Sequence, residues 1–237
     1  MNDTIKTIHD LHTTHGSFMD REIPAEDLDT ILKASVRAAS ASNMQSYSIV
    51  VVTDRDMMKE LCGYQASVLL LYCIDTNRMA SLAKHLGYNF AMDPSWQLTT
   101  GAVDVVLAAQ TAAIAARSLE ISSLFTNGIH RGDPERVFTL LNLPEKNCLP
   151  IVALLLGYEE NAPEKPKERL SGTGIIHKEK YQQCSDEELD EIIAECNTWD
   201  ENYFESFFKF RPRSFDPATD HPSAITNLLK KHGFIIE

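Results

Sequence analysis

Two primary amides, Asn43 and Gln45, lie two residues apart in the run Ser40-Ala41-Ser42-Asn43-Met44-Gln45-Ser46, directly ahead of the apolar stretch Tyr47-Ser48-Ile49-Val50-Val51-Val52-Thr53. An amide side chain both donates and accepts hydrogen bonds. Such a pair matches a flat heterocycle with alternating donor and acceptor edges, such as the pyrimidine end of a flavin, and the small neighbours let the backbone approach a ring. Taken alone, the run also fits an ordinary polar helix-to-strand connection, because loops are commonly built from Ser and Asn. Cations occur late in the chain, in Lys167-Glu168-Arg169-Leu170. An Arg presents a fork of donors to phosphate oxygens and a Lys adds a point charge; a solvated basic loop beside Lys165 is the alternative.

The elements that would position these groups are read from periodicity and caps. Pro24 to Val36 carries the helical stripe Leu28, Ile31, Leu32, Val36, with Pro24 suited to the first helical position and Glu26 and Asp27 at the positive end of the dipole. The first strand spans 47–53, and Asp54 or Asp56 caps a short helix through Leu61. Val68–Ile74 is a continuous apolar run, as expected of a strand covered on both faces; Cys73 within it reads as a small buried hydrophobe. Asn77 caps a helical stretch to about Gly87. After a loop at Asp93-Pro94, the longest helix runs from about Leu98 to Leu119, apolar on most sides and therefore central to the core or part of an obligate interface.

Further along, Ser122–Thr126 reads as a short strand and Asn127-Gly128-Ile129-His130-Arg131-Gly132 as a glycine-bearing turn. Asp133-Pro134-Glu135 opens a helix, and 151–157 is a buried strand. Residues 159–180 form a long loop. Ser185-Asp186-Glu187-Glu188 has capping-box form, and 224–232 is a last helix stopped by Gly233. Phe204, Phe207, Phe208, Phe210 and Phe215 cluster near Arg211 and Arg213, mostly as core or subunit contacts. Helices and strands mix without strict βαβ alternation, which indicates the α+β class.

The chain has 237 residues and a net charge of −12, enough for a full core and unsuited to broad contact with a nucleic-acid backbone. Its N-terminus lacks signal-peptide form, and no apolar run approaches membrane-spanning length: 102–119 is broken by Asp104, Gln110 and Arg117. The five cysteines are scattered and unpaired in pattern, so a cytoplasmic protein without disulfides is expected. His9, His12 and His15 form a ladder whose first two members share a helical face while the third points elsewhere; no nearby Cys completes a metal set, and no metal is expected. His130-Arg131 could attract an anion or simply face solvent. No Ser–His–Asp or Cys–His arrangement can be assembled.

Four segments occur in matching order: His12-Thr13-Thr14-His15-Gly16-Ser17-Phe18 with Asp20 and Ile23-Pro24; the amide loop; Asn127-Gly128; and Lys167-Glu168-Arg169-Leu170, trailed by Ile175-Ile176-His177-Lys178-Glu179-Lys180-Tyr181. Together they resemble the FMN-dependent nitroreductase family, most closely its oxygen-insensitive NADPH nitroreductase and flavin reductase branch, from about residue 9 to about 180. The resemblance implies a nitroreductase-like fold with a mixed, mostly antiparallel sheet flanked by helices, built as an intertwined homodimer. Residues 1–180 would be the FMN-binding core and 181–237 a helical extension of the same domain.

The resemblance also implies a cofactor-binding set. His12 and Thr14, with Thr13 and Gly16 beside them, would meet the FMN phosphate and ribityl chain. Ser40, Ser42, Asn43 and Gln45 would line the isoalloxazine, Gln65 would touch its polar edge, and Asn127 and Gly128 would form the turn above it. Lys167 and Arg169 would hold the phosphate. The chemistry would occur at the flavin N5 with no catalytic side chain: NAD(P)H gives a hydride, leaves, and is replaced by a small nitroaromatic, quinone or flavin acceptor in ping-pong order. The chain departs from the family where Thr13 and Gly16 stand in place of basic residues, and His15 is the candidate to compensate. Those departures support a second expectation, a flavin-binding carrier or sensor with little turnover. Reductive dehalogenation, flavin cleavage and a flavin-free structural homologue are further alternatives.

Overall fold

The computed structural model describes residues 1–161, 163, 167–210 and 224–235. Lys165, Arg211, Arg213 and Phe215 lie outside the described residues. By internal contacts the chain divides into two compact units, Met1–Ala162 with Pro222–Glu237, and Pro163–His221.

The first unit runs α1 Asp3–His9, α2 Ala25–Ser35, β1 Tyr47–Val52, α3 Arg55–Cys62, β2 Val68–Asp75, α4 Asn77–His85, α5 Pro94–Ser118, β3 Ser122–Thr126, α6 Glu135–Leu141 and β4 Cys148–Gly157. The second unit holds α7 Asp186–Asn197 and α8 Tyr203–Phe210, and α9 Ala224–Lys231 returns to the first. The four strands form one sheet in the order β1-β2-β4-β3, and every pairing is antiparallel. The expected mixed sheet is thus corrected. Among the described residues, the parallel component is a single bridge between Thr13 and Ser123 outside the strands.

β2 is buried from Val68 to Ile74, as its unbroken apolar run requires. Strand side chains alternate between faces, and here both faces are covered. Leu70, Tyr72 and Ile74 join a core with α2 and α5, whereas Leu69, Leu71 and Cys73 join a second core with Met58 and Leu61 of α3, Ile129 and Val137. The Tyr72 hydroxyl meets Ser35 Oγ at 3.0 Å, and Ser35 in turn donates to the Ala108 carbonyl. Burial pushes the Tyr72 phenol up to about 12, against a smaller opposite effect of the Ser35 hydrogen bond.

Several boundaries differ from the sequence reading for local reasons. α5 begins at Pro94, because the Asp93 carboxylate accepts from the Ser95 and Trp96 amides. Asn77 is the first residue of α4 and not its cap; Thr76 before it makes no side-chain capping bond, and the Asn77 side-chain amide is drawn to Asp75 and to the Lys146 carbonyl. β4 starts at Cys148, since Pro150 is accommodated opposite Cys73 where the register shifts. By length and composition α5 is long and apolar enough to cross a membrane, contrary to the sequence expectation. One face of it packs on α2 and the sheet through Val105, Ala108, Ala109 and Ala112, while Val103, Val106 and Leu107 are exposed. α9 is anchored by His232, which stacks on Phe138 at 3.8 Å and bonds the Glu145 carbonyl and Glu135.

Candidate functional site

The amide loop is organised by a residue 58 or more positions away. Asp104, fully buried on α5, accepts from Ser40 Oγ at 2.7 Å, from the Ala41 amide at 3.0 Å and from the Ser46 amide at 3.1 Å. Ser40 Oγ also accepts from the Gln45 amide at 2.7 Å, closing the loop on itself. Inside this frame Ser42, Asn43 and Gln45 have φ of 50°, 54° and 52°. Left-handed backbone at non-glycine residues is uncommon and costs free energy, and it persists where surrounding bonds over-determine it. The Gln45 side chain donates to Asn43 Oδ1 at 3.0 Å. Among the described residues no hydrogen bond takes up Asn43 Nδ2 or Gln45 Oε1, so the pair presents one donor group and one acceptor outward. Arg78 donates to the Gln45 and Met44 carbonyls. The Tyr47 phenol next to the loop is pushed up by burial and by the Asp104 charge. A groove of about 510 Å³ runs between the loop and α5, lined by Ala39, Ser40, Ala41, Thr99, Val103 and Leu107 among others.

The N-terminal segment forms a separate cluster. α1 ends at His9, so His12 and His15 lie on non-helical chain. Thr13 bridges to Ser123, and the Thr14 amide donates to the Ser123 carbonyl at 3.0 Å. His12 and Thr14 converge on Glu159, at the exit of β4: His12 Nε2 lies 2.9 and 3.1 Å from its two oxygens, Thr14 Oγ1 donates at 3.0 Å, and Ser122 Oγ donates at 2.8 Å. His12 Nδ1 faces the Asp10 carbonyl at 3.1 Å. Both ring nitrogens therefore face acceptors. Burial would raise the Glu159 carboxyl, but hydrogen bonds from Ser122, His12 and Thr14 outweigh it and hold the group below the usual carboxylate range. Thr13 and His15 are exposed. Gly16 has φ of +78°, a conformation in which a side chain at this position is strained.

The glycine turn is set by close packing. A Cβ on Gly128 would sit 2.4 Å from the Cys62 carbonyl oxygen at the end of α3. Arg136 binds the two together, donating to the Glu60, Leu61 and Gly128 carbonyls and to those of Arg131 and Asp133. Asn127 is exposed beside this turn, His130 is turned to the Pro150 carbonyl at 3.0 Å, and exposed Gln65 donates to the Arg55 carbonyl at 3.1 Å.

In the second unit, Lys167 pairs with Asp200 at 2.6 Å and lies over the Trp199 and Tyr203 rings at 5.7 and 5.3 Å. Arg169 donates to the Lys167 and Glu168 carbonyls. Of the expected aromatic cluster, Phe204, Phe207 and Phe208 make ring contacts along α8, with Phe207 and Phe208 exposed; the Phe210 side chain and Phe215 lie outside the described residues.

The structure thus gathers His12 with Thr14, and Ser40 with Ser42, Asn43 and Gln45, as two groups; no hydrogen bond among the described residues joins them. It adds Asp104, Glu159, Ser122 and Arg136, which the sequence reading did not single out. Asp104 had one available signal: a lone acid inside Ala102-Val103-Asp104-Val105-Val106-Leu107 must find donors if that stretch is buried. Glu159 had none, since it reads as the first residue of the long, Pro- and Lys-containing loop 159–180.

Comparison with known proteins agrees with this architecture. The sequence model of the Nitroreductase family matches residues 12–85. The chain is 31% identical to the FMN reductase [NAD(P)H] of Bacillus subtilis over the whole of both proteins. It is 30% identical to the oxygen-insensitive NADPH nitroreductase of Salmonella typhimurium over 78% of each. The solved structure of the NADPH:FMN oxidoreductase of Vibrio harveyi, complexed with NAD+, superposes with a TM-score of 0.82 at 26% identity, covering 98% of each chain. With full-length likeness in sequence and fold, this chain belongs to the nitroreductase family, on its flavin reductase and oxygen-insensitive NADPH nitroreductase branch.

Proposed function

We propose that this chain is an FMN-dependent oxidoreductase that passes a hydride from NAD(P)H to nitroaromatic, quinone or flavin acceptors by a ping-pong mechanism, and that it works as a cytoplasmic homodimer. The observation that carries the reading is the Asp104-held loop. Its outward donor and acceptor on Asn43 and Gln45 suit the alternating polar edge of a flavin ring, and it occurs in a chain whose full-length relatives are named flavin reductases. Bound FMN would supply a ring that takes up a hydride at N5 and passes it on. The protein's part is to hold and orient. Asn43 and Gln45 fix the ring edge, and the small Ser40 and Ser42 leave room for its face. Gly128 keeps the neighbouring turn close to α3; the second unit by itself carries Lys167 and Arg169, cations of the kind a phosphate takes. The exposed apolar face of α5, with Val103, Val106 and Leu107, supports a subunit interface.

The ring end of FMN fits these residues. The tail end fits less well, because the donors of His12 and Thr14 are already engaged by Glu159. A second reading, a flavin carrier or sensor with little turnover, draws on the same region: Thr13 and Gly16 offer no cation to a reduced ring. The deciding experiment is the visible spectrum of the purified protein, followed by anaerobic addition of NADPH or NADH. A yellow protein bleached within seconds supports the enzyme. Slow bleaching by both donors supports the carrier, and a colourless protein that takes up no flavin ends both.

A further inference from the structure

We propose that Glu159 is a specificity-determining residue that acts as a built-in anion at the His12 corner of the site, so that the protein accepts a flavin with a neutral, hydroxyl-ended tail as readily as the phosphorylated one. The inference rests on the flavin reading above and deepens it.

Three side chains aim polar hydrogens at one carboxylate: His12 at 2.9 Å, Thr14 at 3.0 Å and Ser122 at 2.8 Å. The His12 and Glu159 side chains are each 9% exposed. This is the coordination an anionic group receives from a protein, already complete and supplied from within the chain. The Glu159 carboxylate faces the His12 ring, and Glu160, exposed beside it, adds a further negative charge. Arg21 is stacked over the Tyr158 ring at 3.6 Å. A phosphate approaching this corner meets a carboxylate whose His12, Thr14 and Ser122 partners are already engaged. In the second unit Lys167 is likewise paired with an acid, Asp200. A ribityl hydroxyl, by contrast, can donate to Glu159 without a charge penalty.

The test is competitive loading of the full-length protein with equimolar FMN and riboflavin, removal of free flavin, and quantification of what remains bound. Wild-type protein should retain the two within about threefold of each other. In Glu159→Gln, which keeps the shape and removes the charge, the bound ratio should move towards FMN by about tenfold or more, with a wild-type circular dichroism spectrum and a cooperative thermal transition as the control for folding. The inference is overturned if wild-type protein retains FMN almost exclusively, a result that needs no variant. It is equally overturned if the ratio in Glu159→Gln equals that of wild type. Uptake of neither flavin defeats the underlying flavin reading, whereas uptake of both with an unmoved ratio defeats only the role of Glu159.

Discussion

Replacing Asp104 with Asn tests whether a buried carboxylate holds the amide loop in its left-handed form. The substitution conserves volume. Asn Oδ1 can still accept from the Ala41 amide, now 3.0 Å from the carboxylate. The other oxygen becomes an NH2 group facing the Ser46 amide, at 3.1 Å, and the Ser40 hydroxyl, at 2.7 Å. Ser40 cannot turn freely to compensate, because its oxygen already accepts from the Gln45 amide. One buried amide then faces a donor, and a charge-assisted bond becomes neutral. An unsatisfied buried donor costs about 1–3 kcal/mol and a bond to a charged group contributes about 1.5–3 kcal/mol. Relief from burying the charge offsets part of this. The net loss is expected to be about 2–4 kcal/mol, which in a protein of this size is roughly 5–12 °C in Tm. The loop residues at φ near 50° are released at the same time, so bound flavin should fall by about tenfold or more. Thermal unfolding and flavin occupancy measure both. A Tm within about 1 °C of wild type, with unchanged occupancy, would show that the loop keeps its shape without the carboxylate.

Two further outcomes follow from the packing and the charges. Gly128→Ala places a methyl group 2.4 Å from the Cys62 carbonyl oxygen, so α3 and the turn must separate and Arg136 loses alignment with its carbonyls; denaturant unfolding should show a loss of about 2–4 kcal/mol, and a loss under about 0.5 kcal/mol would mean that the approach is not tight. The Glu159 carboxyl is held below its unfolded value by Ser122, His12 and Thr14 despite the opposing effect of burial. Its stabilisation is therefore complete above the unfolded value of about 4.3 and is lost as pH falls through the lower folded value. Glu159→Gln should be less stable than wild type near neutrality and converge with it in acid, as read from urea midpoints across pH; a gap that stays constant down to acid pH would contradict the assignment.

Much of this molecule is legible as local pattern. The unbroken apolar run of β2 and the Ser185–Glu188 capping box depend on neighbours within a turn or a pleat, and both form as the residues demand; α6 instead starts at Glu135 behind Pro134, without a side-chain cap. The family motifs, which are contiguous, are legible in the same local way. Other features have no local cause. The loop at 40–46 looks polar and ordinary until Asp104 reaches it from 58 to 64 residues away, and His12 meets Glu159 across 147 positions.

Sequence by itself therefore determined the class of fold, the family and the small and amide residues at the loop, because periodicity, capping and motif order are properties of short stretches of chain. Only the tertiary structure decided which acids would serve those residues. A carboxylate in an apolar helix or at a strand exit takes its role from donors that the folded chain brings to it, and an unpaired charge in the core would be too costly to leave in place.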